Sequence, residues 1–178
     1  MRSLSLSAPL LLLCYGVLRF AGGLDGHTKG GWTWTVGHLA FFGAMVLFAG
    51  LAVALWERAR PLAAIGVAAA TFGVGCFLWV IAGDLNAGFH DRLPLPSSLE
   101  TAGPLCFVLG MILLLSIRVA DGRLPWWSPA LFFVGFLAIS VNLDLLPPAA
   151  LVVLAAMVPV ARGHAAPPVV SSEVPARR

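Results

Sequence analysis

Apolar residues fill this chain in long runs rather than in alternating stripes. Six runs can be drawn, at about 4–22, 36–56, 62–82, 100–119, 128–146 and 148–162, separated by short segments that hold most of the charged residues. Each is long enough, or nearly so, to cross a hydrocarbon core of about 30 Å as a helix rising 1.5 Å per residue. The pattern predicts an all-α polytopic membrane helix bundle with six transmembrane helices. The first run follows Arg2 and so resembles a signal peptide. Arg19 interrupts its end and no A-x-A site follows, so it is read as the first membrane helix.

The basic residues orient the bundle. Arg2, Arg58, Arg60, Arg118, Arg123, Arg162, Arg177 and Arg178 fall on one side of the six runs. Arg19, Lys29 and Arg92 fall on the other, with Asp25, Asp84, Asp91, Glu100 and Asp144. The positive-inside rule then places both termini in the cytoplasm. Trp32, Trp34, Trp79 and Phe89 lie near the outer interface and Trp56, Trp126 and Trp127 near the inner one, as aromatic anchors do. Residues 1–162 form the transmembrane domain. Residues 163–178, "GHAAPPVVSSEVPARR", lack an apolar period and read as a disordered cytoplasmic tail in which His164 is solvated.

Composition strengthens this picture. Hydrophobic residues make up 60% of the 178 and charged ones 11%, and the mean hydropathy is +0.94. A soluble domain needs far more charged surface, and no segment is left over to form one. A pI near 9.1 does not signal nucleic acid, because the arginines are spread over helix ends, where topology accounts for them. One lysine against ten arginines, with Ala, Gly, Leu and Val abundant, points to a GC-rich bacterial genome and hence a bacterial plasma (inner) membrane. Cys14, Cys76 and Cys106 sit inside apolar runs without C-x-x-C spacing and read as buried structural thiols.

An internal echo is visible. "TVGHLAFFGAM" at 35–45 and "TAGPLCFVLGM" at 101–111 share Thr, Gly, Leu, Phe and Met in register. The helices that follow end in "IAGDLN" at 81–86 and "ISVNLD" at 139–144, with acid and amide exchanged. The second and third helices and the fourth and fifth therefore look like two copies of one hairpin, with chance similarity between apolar helices as the alternative. Gly43 and Gly50, and Gly66, Ala69 and Gly73, are spaced to let helix backbones approach in lipid.

Polar residues inside apolar runs carry the candidate chemistry. Asn142, Asp144 and the Pro147-Pro148 pair interrupt "FLAISVNLDLLPPAALVV" at 136–153. If the chain turns at the prolines, the last helix is only about 20–25 Å long and its turn is recessed below the membrane surface. Arg19 is recessed by the same reasoning, and His38 lies about one turn into the second helix. A charge at such depth is costly unless paired, so Arg19 is expected to pair with Asp144 or Asp84. The predicted constellation is Arg19, His38, Asp84, Asn86, Asn142 and Asp144, with Asp25 and Glu100 at its rim. Trp32, Trp34, Phe41, Phe77, Trp79 and Phe136 are candidates to line an adjoining cavity. Two readings stay open: a polar cluster that fixes helix register, or a ligand or catalytic pocket.

Several chemistries lose support. No G-x-S-x-G, H-E-x-x-H, P-loop or GxGxxG-plus-acid motif is present. His27 and His90 fall between the runs, and His38 has no second histidine at metal or haem spacing, so neither metal nor cofactor is expected. The inner halves of the runs are almost wholly apolar, which argues against a through-pore. What remains is acid beside aromatic walls in an apolar setting. Such an acid retains its proton for delivery, and aromatic faces stabilise a cation in a dry cavity.

In size, helix number and acids near helix ends, the chain resembles the small membrane-bound terpene cyclases of fungi and filamentous bacteria. "YGVLRFAGGLDG" and "WTVGHLAFF" also resemble stretches of small membrane proteins of GC-rich bacteria. The first resemblance implies carboxylate acid–base chemistry on a lipidic or isoprenoid substrate at the extracytoplasmic end. Asp84 and Asp144 are the candidate acids on physical grounds. Arg19, His38, Asn86, Asn142, Trp34, Phe41 and Trp79 would bind or orient the substrate. The alternative is a non-enzymatic membrane protein: a lipid or small-molecule binder, a transport component, or an accessory subunit. In either case the expected partner is a membrane lipid or hydrophobic small molecule rather than nucleic acid, and an oligomer or partner subunit is compatible with both.

Overall fold

The computed structural model describes residues 2–24, 31–57 and 59–163, and every regular element in it is helical. The long helices are α1 (Arg2–Leu24), α2 (Trp32–Ala54), α3 (Pro61–Leu85), α5 (Ser97–Ala120), α6 (Trp127–Val141) and α7 (Leu146–Arg162). A short α4 (Ala87–Arg92) follows α3, and a single 3-10 turn (Leu143–Leu145) joins α6 to α7. Asp25, His27, Lys29, Arg58, and the tail from His164 onward lie outside the described residues.

Five helical segments are long and apolar enough to cross a membrane: α1, α2, α3, α5, and α7 together with the 3-10 turn. The sixth apolar helix, α6, has 15 residues, or about 22 Å at 1.5 Å per residue. Leu39, Leu62, Ile65, Leu105, Leu109 and Val134 point outward and are exposed. An exterior this rich in aliphatic side chains suits lipid rather than water. Together these features make the chain a membrane-spanning helical protein.

The six long helices run alternately up and down and close into a ring. Each packs on its neighbour in the chain, and α1 returns to pack on α7. The ring is filled rather than hollow. Phe48 of α2 reaches across to Phe107 of α5 and to Phe132 and Phe136 of α6, with ring centroids 5.5–6.0 Å apart. Met45, Met111 and Met157 are fully buried around them.

Glycines set the closest approaches. Gly66 and Gly73 of α3 interleave with Gly103 and Gly110 of α5. A Cβ on Gly73 would overlap Gly103 O and Phe107 N, and one on Gly110 would stand 2.5 Å from Ala70 N. Gly135 of α6 plays the same part against α7, where a Cβ would stand 2.5 Å from Val153 Cγ2. About two turns further along that seam the buried Ser128 hydroxyl donates to Ala156 O at 2.6 Å. These seams provide the small-residue contact that lipid-embedded helices need.

The helix boundaries correct two expectations. The chain does not turn at Pro147-Pro148. It turns at Asn142–Leu145, and the prolines occupy the first turn of α7, where the missing N–H groups cost nothing. Nor are all three thiols buried: Cys76 is, Cys106 is half-buried, and Cys14 is exposed on the outer face of α1. At the far end, Gly163 takes a left-handed conformation (φ 52°) and stops α7.

The echoed segments take matching local structure. Thr35 and Thr101 each donate a hydroxyl to the carbonyl four residues earlier, Gly31 O and Ser97 O. Met45 and Met111 are both fully buried. At the two helix ends, however, amide matches amide. Asn86 ends α3 and its side chain caps α4, while Asn142 ends α6 and its side chain caps the 3-10 turn. Asp84 precedes its asparagine by two residues and Asp144 follows its own by two.

Candidate functional site

The end of the bundle that holds the α1 C-terminus, the α2 N-terminus and the α6–α7 turn carries two clefts. The first, about 430 Å³, is lined by Tyr15, Leu18, Arg19, Phe20, Thr33, Trp34, His38 and Asp144 among others. The second, about 340 Å³, is lined by Phe77, Trp79, Asp84, Phe89, His90, Leu93, Glu100 and Pro104 among others. One side-chain pair stands between them. His38 Nε2 of α2 lies 3.6 Å from Asp84 Oδ2 of α3, and His38 lines the first cleft while Asp84 lines the second.

Helical spacing builds the first cleft. Tyr15 and Arg19 are four residues apart on α1, as are Trp34 and His38 on α2, so each pair shares a helix face. His38 is 3% exposed. Its ring stacks at a tilt on Trp34 with centroids 4.0 Å apart, and Tyr15 meets it edge-on at 5.3 Å. Tyr15 in turn stacks on Phe41 at 4.7 Å, Phe41 meets Phe77 at 5.7 Å, and Phe77 meets Phe107 at 5.8 Å. A continuous ladder of rings therefore joins the cleft to the core, and it fixes the orientation of the imidazole.

Hydrogen-bond chemistry constrains where the proton sits. His38 Nδ1 is 2.9 Å from Trp34 O, a carbonyl that can only accept, so this nitrogen carries N–H. Nε2 then faces a carboxylate. A neutral ring would turn a lone pair toward Oδ2, whereas a protonated ring forms an imidazolium–carboxylate pair. Asp84 keeps a route to the exterior, since its side chain is 40% exposed while that of His38 is 4% exposed.

Arg19 differs from expectation. Among the described residues no carboxylate comes within 4 Å of its guanidinium, so it does not pair with Asp84 or Asp144. It lies beside the Tyr15 side chain, and its Nε is buried with no hydrogen-bond partner. Asp84 is paired with His38 instead, and Asp144 sits on an exposed turn. A guanidinium in this position presents unused donors to whatever enters.

The predicted constellation is thus divided. Arg19, His38, Trp34 and Asp144 share the first cleft, while Asp84, Trp79 and the rim residue Glu100 belong to the second. Asn86 and Asn142 line neither. Their side-chain oxygens accept from Phe89 N and Asp144 N, a capping role. Phe41 supports Tyr15, Phe136 is core, and the Trp79 indole donates to Leu93 O at 2.9 Å. Asp25 lies outside the described residues.

Sequence reasoning missed Tyr15 and Thr33, and also His90 as part of a cleft. The Tyr15–Arg19 spacing was the available signal for the first. Among the described residues no three of His, Cys, Asp and Glu gather as metal ligands, and none is assigned to a cofactor.

The fold and site define a class: a membrane-spanning helical bundle with a filled core and an open polar site at one end. No family model, curated protein or solved structure matches the chain.

Proposed function

We propose that this protein is a membrane-embedded enzyme that acts on a lipidic or isoprenoid substrate by acid–base chemistry in the first cleft. The observation that carries the reading is the pairing of the buried His38 with the partly exposed Asp84 at the wall of an aromatic-lined cleft that Asp144 also lines. The pair is the proton donor. Delivery of its proton to one carbon of an alkene leaves a cation on the next carbon, faced by the Trp34 and Tyr15 rings. Loss of a proton from a neighbouring carbon to the Asp144 carboxylate regenerates an alkene, so atoms balance as an isomerisation or cyclisation. Proton exchange through the exposed Asp84 and Asp144 side chains resets both groups. Arg19 holds a polar or anionic head of the substrate.

The setting we propose is a bacterial plasma membrane crossed six times with both termini in the cytoplasm. The support is the charge distribution: Arg2, Arg60, Arg118, Arg123 and Arg162 lie at one end of the bundle and the two clefts at the other. The matched Thr and Met positions of α2 and α5 support a hairpin repeat, α2–α3 and α5–α6.

A second reading is favoured by the exposure of both acids: a non-catalytic binder of a lipid or small molecule, or an accessory subunit. One experiment separates the two. The protein in nanodiscs is incubated in D2O with a panel of polyprenyl substrates, and products are analysed by mass spectrometry. Carbon-bound deuterium formed by wild type and lost in Asp84→Asn supports the enzyme. A retained, unlabelled ligand supports the binder, and labelling that survives both Asp84→Asn and Asp144→Asn removes the acid–base proposal.

A further inference from the structure

The opposite end of the bundle carries a third cavity, about 210 Å³, whose wall combines Arg2, Arg118 and Arg123 with Leu55, Leu124 and Val160. All of its charged lining is basic. Two of the three lining arginines share one carboxylate that stands outside the cavity. Glu57 Oε1 accepts Arg118 at 3.1 Å and Arg123 at 2.9 Å, its Oε2 lies 3.3 Å from Arg60, and Asp121 takes Arg60 at 2.6 Å. Among the described residues three guanidiniums (Arg60, Arg118 and Arg123) thus share two carboxylates at this end, Arg2 pairs with neither, and neither carboxylate lines the cavity.

Two arginines have donors to spare. Arg118 is half-buried and bonds Glu57 and Leu55 O, yet its Nε is buried with no partner. Arg2 has no carboxylate within 4 Å among the described residues. Unused guanidinium donors converging on one space call for a multidentate oxyanion. The apolar half of the wall narrows the source. Leu124 and Val160 are each 8% exposed and border a helix bundle whose outer face is aliphatic, so a bound phosphate has hydrocarbon beside it.

We infer that this cavity binds the phosphate of an anionic membrane lipid, held by Arg2, Arg118 and Arg123 with the acyl chains running down the outer face of the bundle. The site is separate from the two clefts and does not depend on the chemistry proposed for them.

The test places wild type, Arg2→Gln and Arg118→Lys in nanodiscs of phosphatidylcholine doped with phosphatidylglycerol, and counts lipids retained on release into native mass spectrometry. Arg2→Gln serves as the folding-neutral variant, since among the described residues the Arg2 side chain makes no ion pair and the bond from Ser5 uses its backbone carbonyl. Far-UV circular dichroism confirms that each variant is helical. Preferential retention of phosphatidylglycerol by wild type is expected, reduced about fivefold for Arg2→Gln, which loses a charge, and less for Arg118→Lys, which keeps its charge but loses the guanidinium fork; fivefold corresponds to about 1 kcal/mol per basic residue near an anionic surface. A parallel arm measures stabilisation by inorganic phosphate in neutral detergent. Stabilisation there without lipid selectivity would overturn the lipid source and reassign the cavity to free phosphate. Equal lipid retention by wild type and both variants, with no effect of inorganic phosphate, would overturn the site altogether.

Discussion

The α3–α5 seam allows one substitution to be given opposite signs at two positions. Gly110→Ala adds a methyl that would stand 2.5 Å from Ala70 N and 2.6 Å from Gly66 O. Contacts of this kind relax near 3.4 Å, so the helices must part by about 0.9 Å. Both obstructing atoms are backbone and cannot rotate away. Overpacking of this sort costs about 1–3 kcal/mol, against a gain of about 1 kcal/mol for placing Ala in a helix instead of Gly. The expected net loss is up to roughly 2 kcal/mol. Gly75→Ala, on the same helix pair, meets nothing within 4 Å and should gain up to about 1 kcal/mol. The two variants should therefore differ by about 2 kcal/mol although the chemical change is identical. Equilibrium unfolding in mixed micelles of rising SDS content, followed by tryptophan fluorescence, measures the difference. If Gly110→Ala proves as stable as Gly75→Ala, the close approach of α3 and α5 is wrong and so is the packing built on it.

Three further expectations can be checked in the same assay. Phe48→Ala removes the ring that spans the centre of the bundle and should cost about 3–5 kcal/mol. Asp144→Asn should change stability by no more than about 0.5 kcal/mol, since Asp144 has no ion pair among the described residues; the Arg19→Leu, Asp144→Leu cycle should show coupling near zero, and a large coupling would restore a register pair. Glu57→Gln leaves Arg118 and Arg123 without their shared carboxylate. Its cost, about 1–2 kcal/mol after allowance for partial exposure, should shrink as salt is raised.

The bundle was legible because length and hydropathy carry it. A run of apolar residues long enough to span a membrane has few alternatives to a helix, and the prediction at 36–56 and the observed α2 overlap almost throughout. Boundaries were less legible where turn chemistry competed. Pro147-Pro148 reads as a break, yet proline in a first helical turn is a start, and the stop signal was Asn142, whose side chain caps the turn that follows. The site residues were found as types and partly misassigned as partners. Composition says that Arg19, His38, Asp84 and Asp144 need neighbours in lipid. Which acid meets which base depends on the rotation of α1 against α2 and α3, and nearly uniform apolar helices do not encode that in their pattern. The arginine cavity went unseen because each arginine, taken singly, was explained by topology. Only their convergence, and the orphan Nε of Arg118, distinguishes it.

The contact between α1 and α7 has a consequence for synthesis. Gly16 of α1 faces Leu146 and Pro147 of α7, where a Cβ would stand 2.7 Å from Leu146 Cδ2. The partners stand at positions 16 and 146 of the 178 residues, so α1 enters the bilayer long before the helix that covers this side of it exists. Asp144, which completes the first cleft, arrives with the same late segment. A ribosome that stalls before residue 144 therefore leaves in the membrane a chain with Arg19, His38 and Asp84 in place but without Asp144. Such a fragment would expose the glycine face of α1 to lipid and to the membrane's quality-control proteases, and only a fully translated chain would carry a finished cleft.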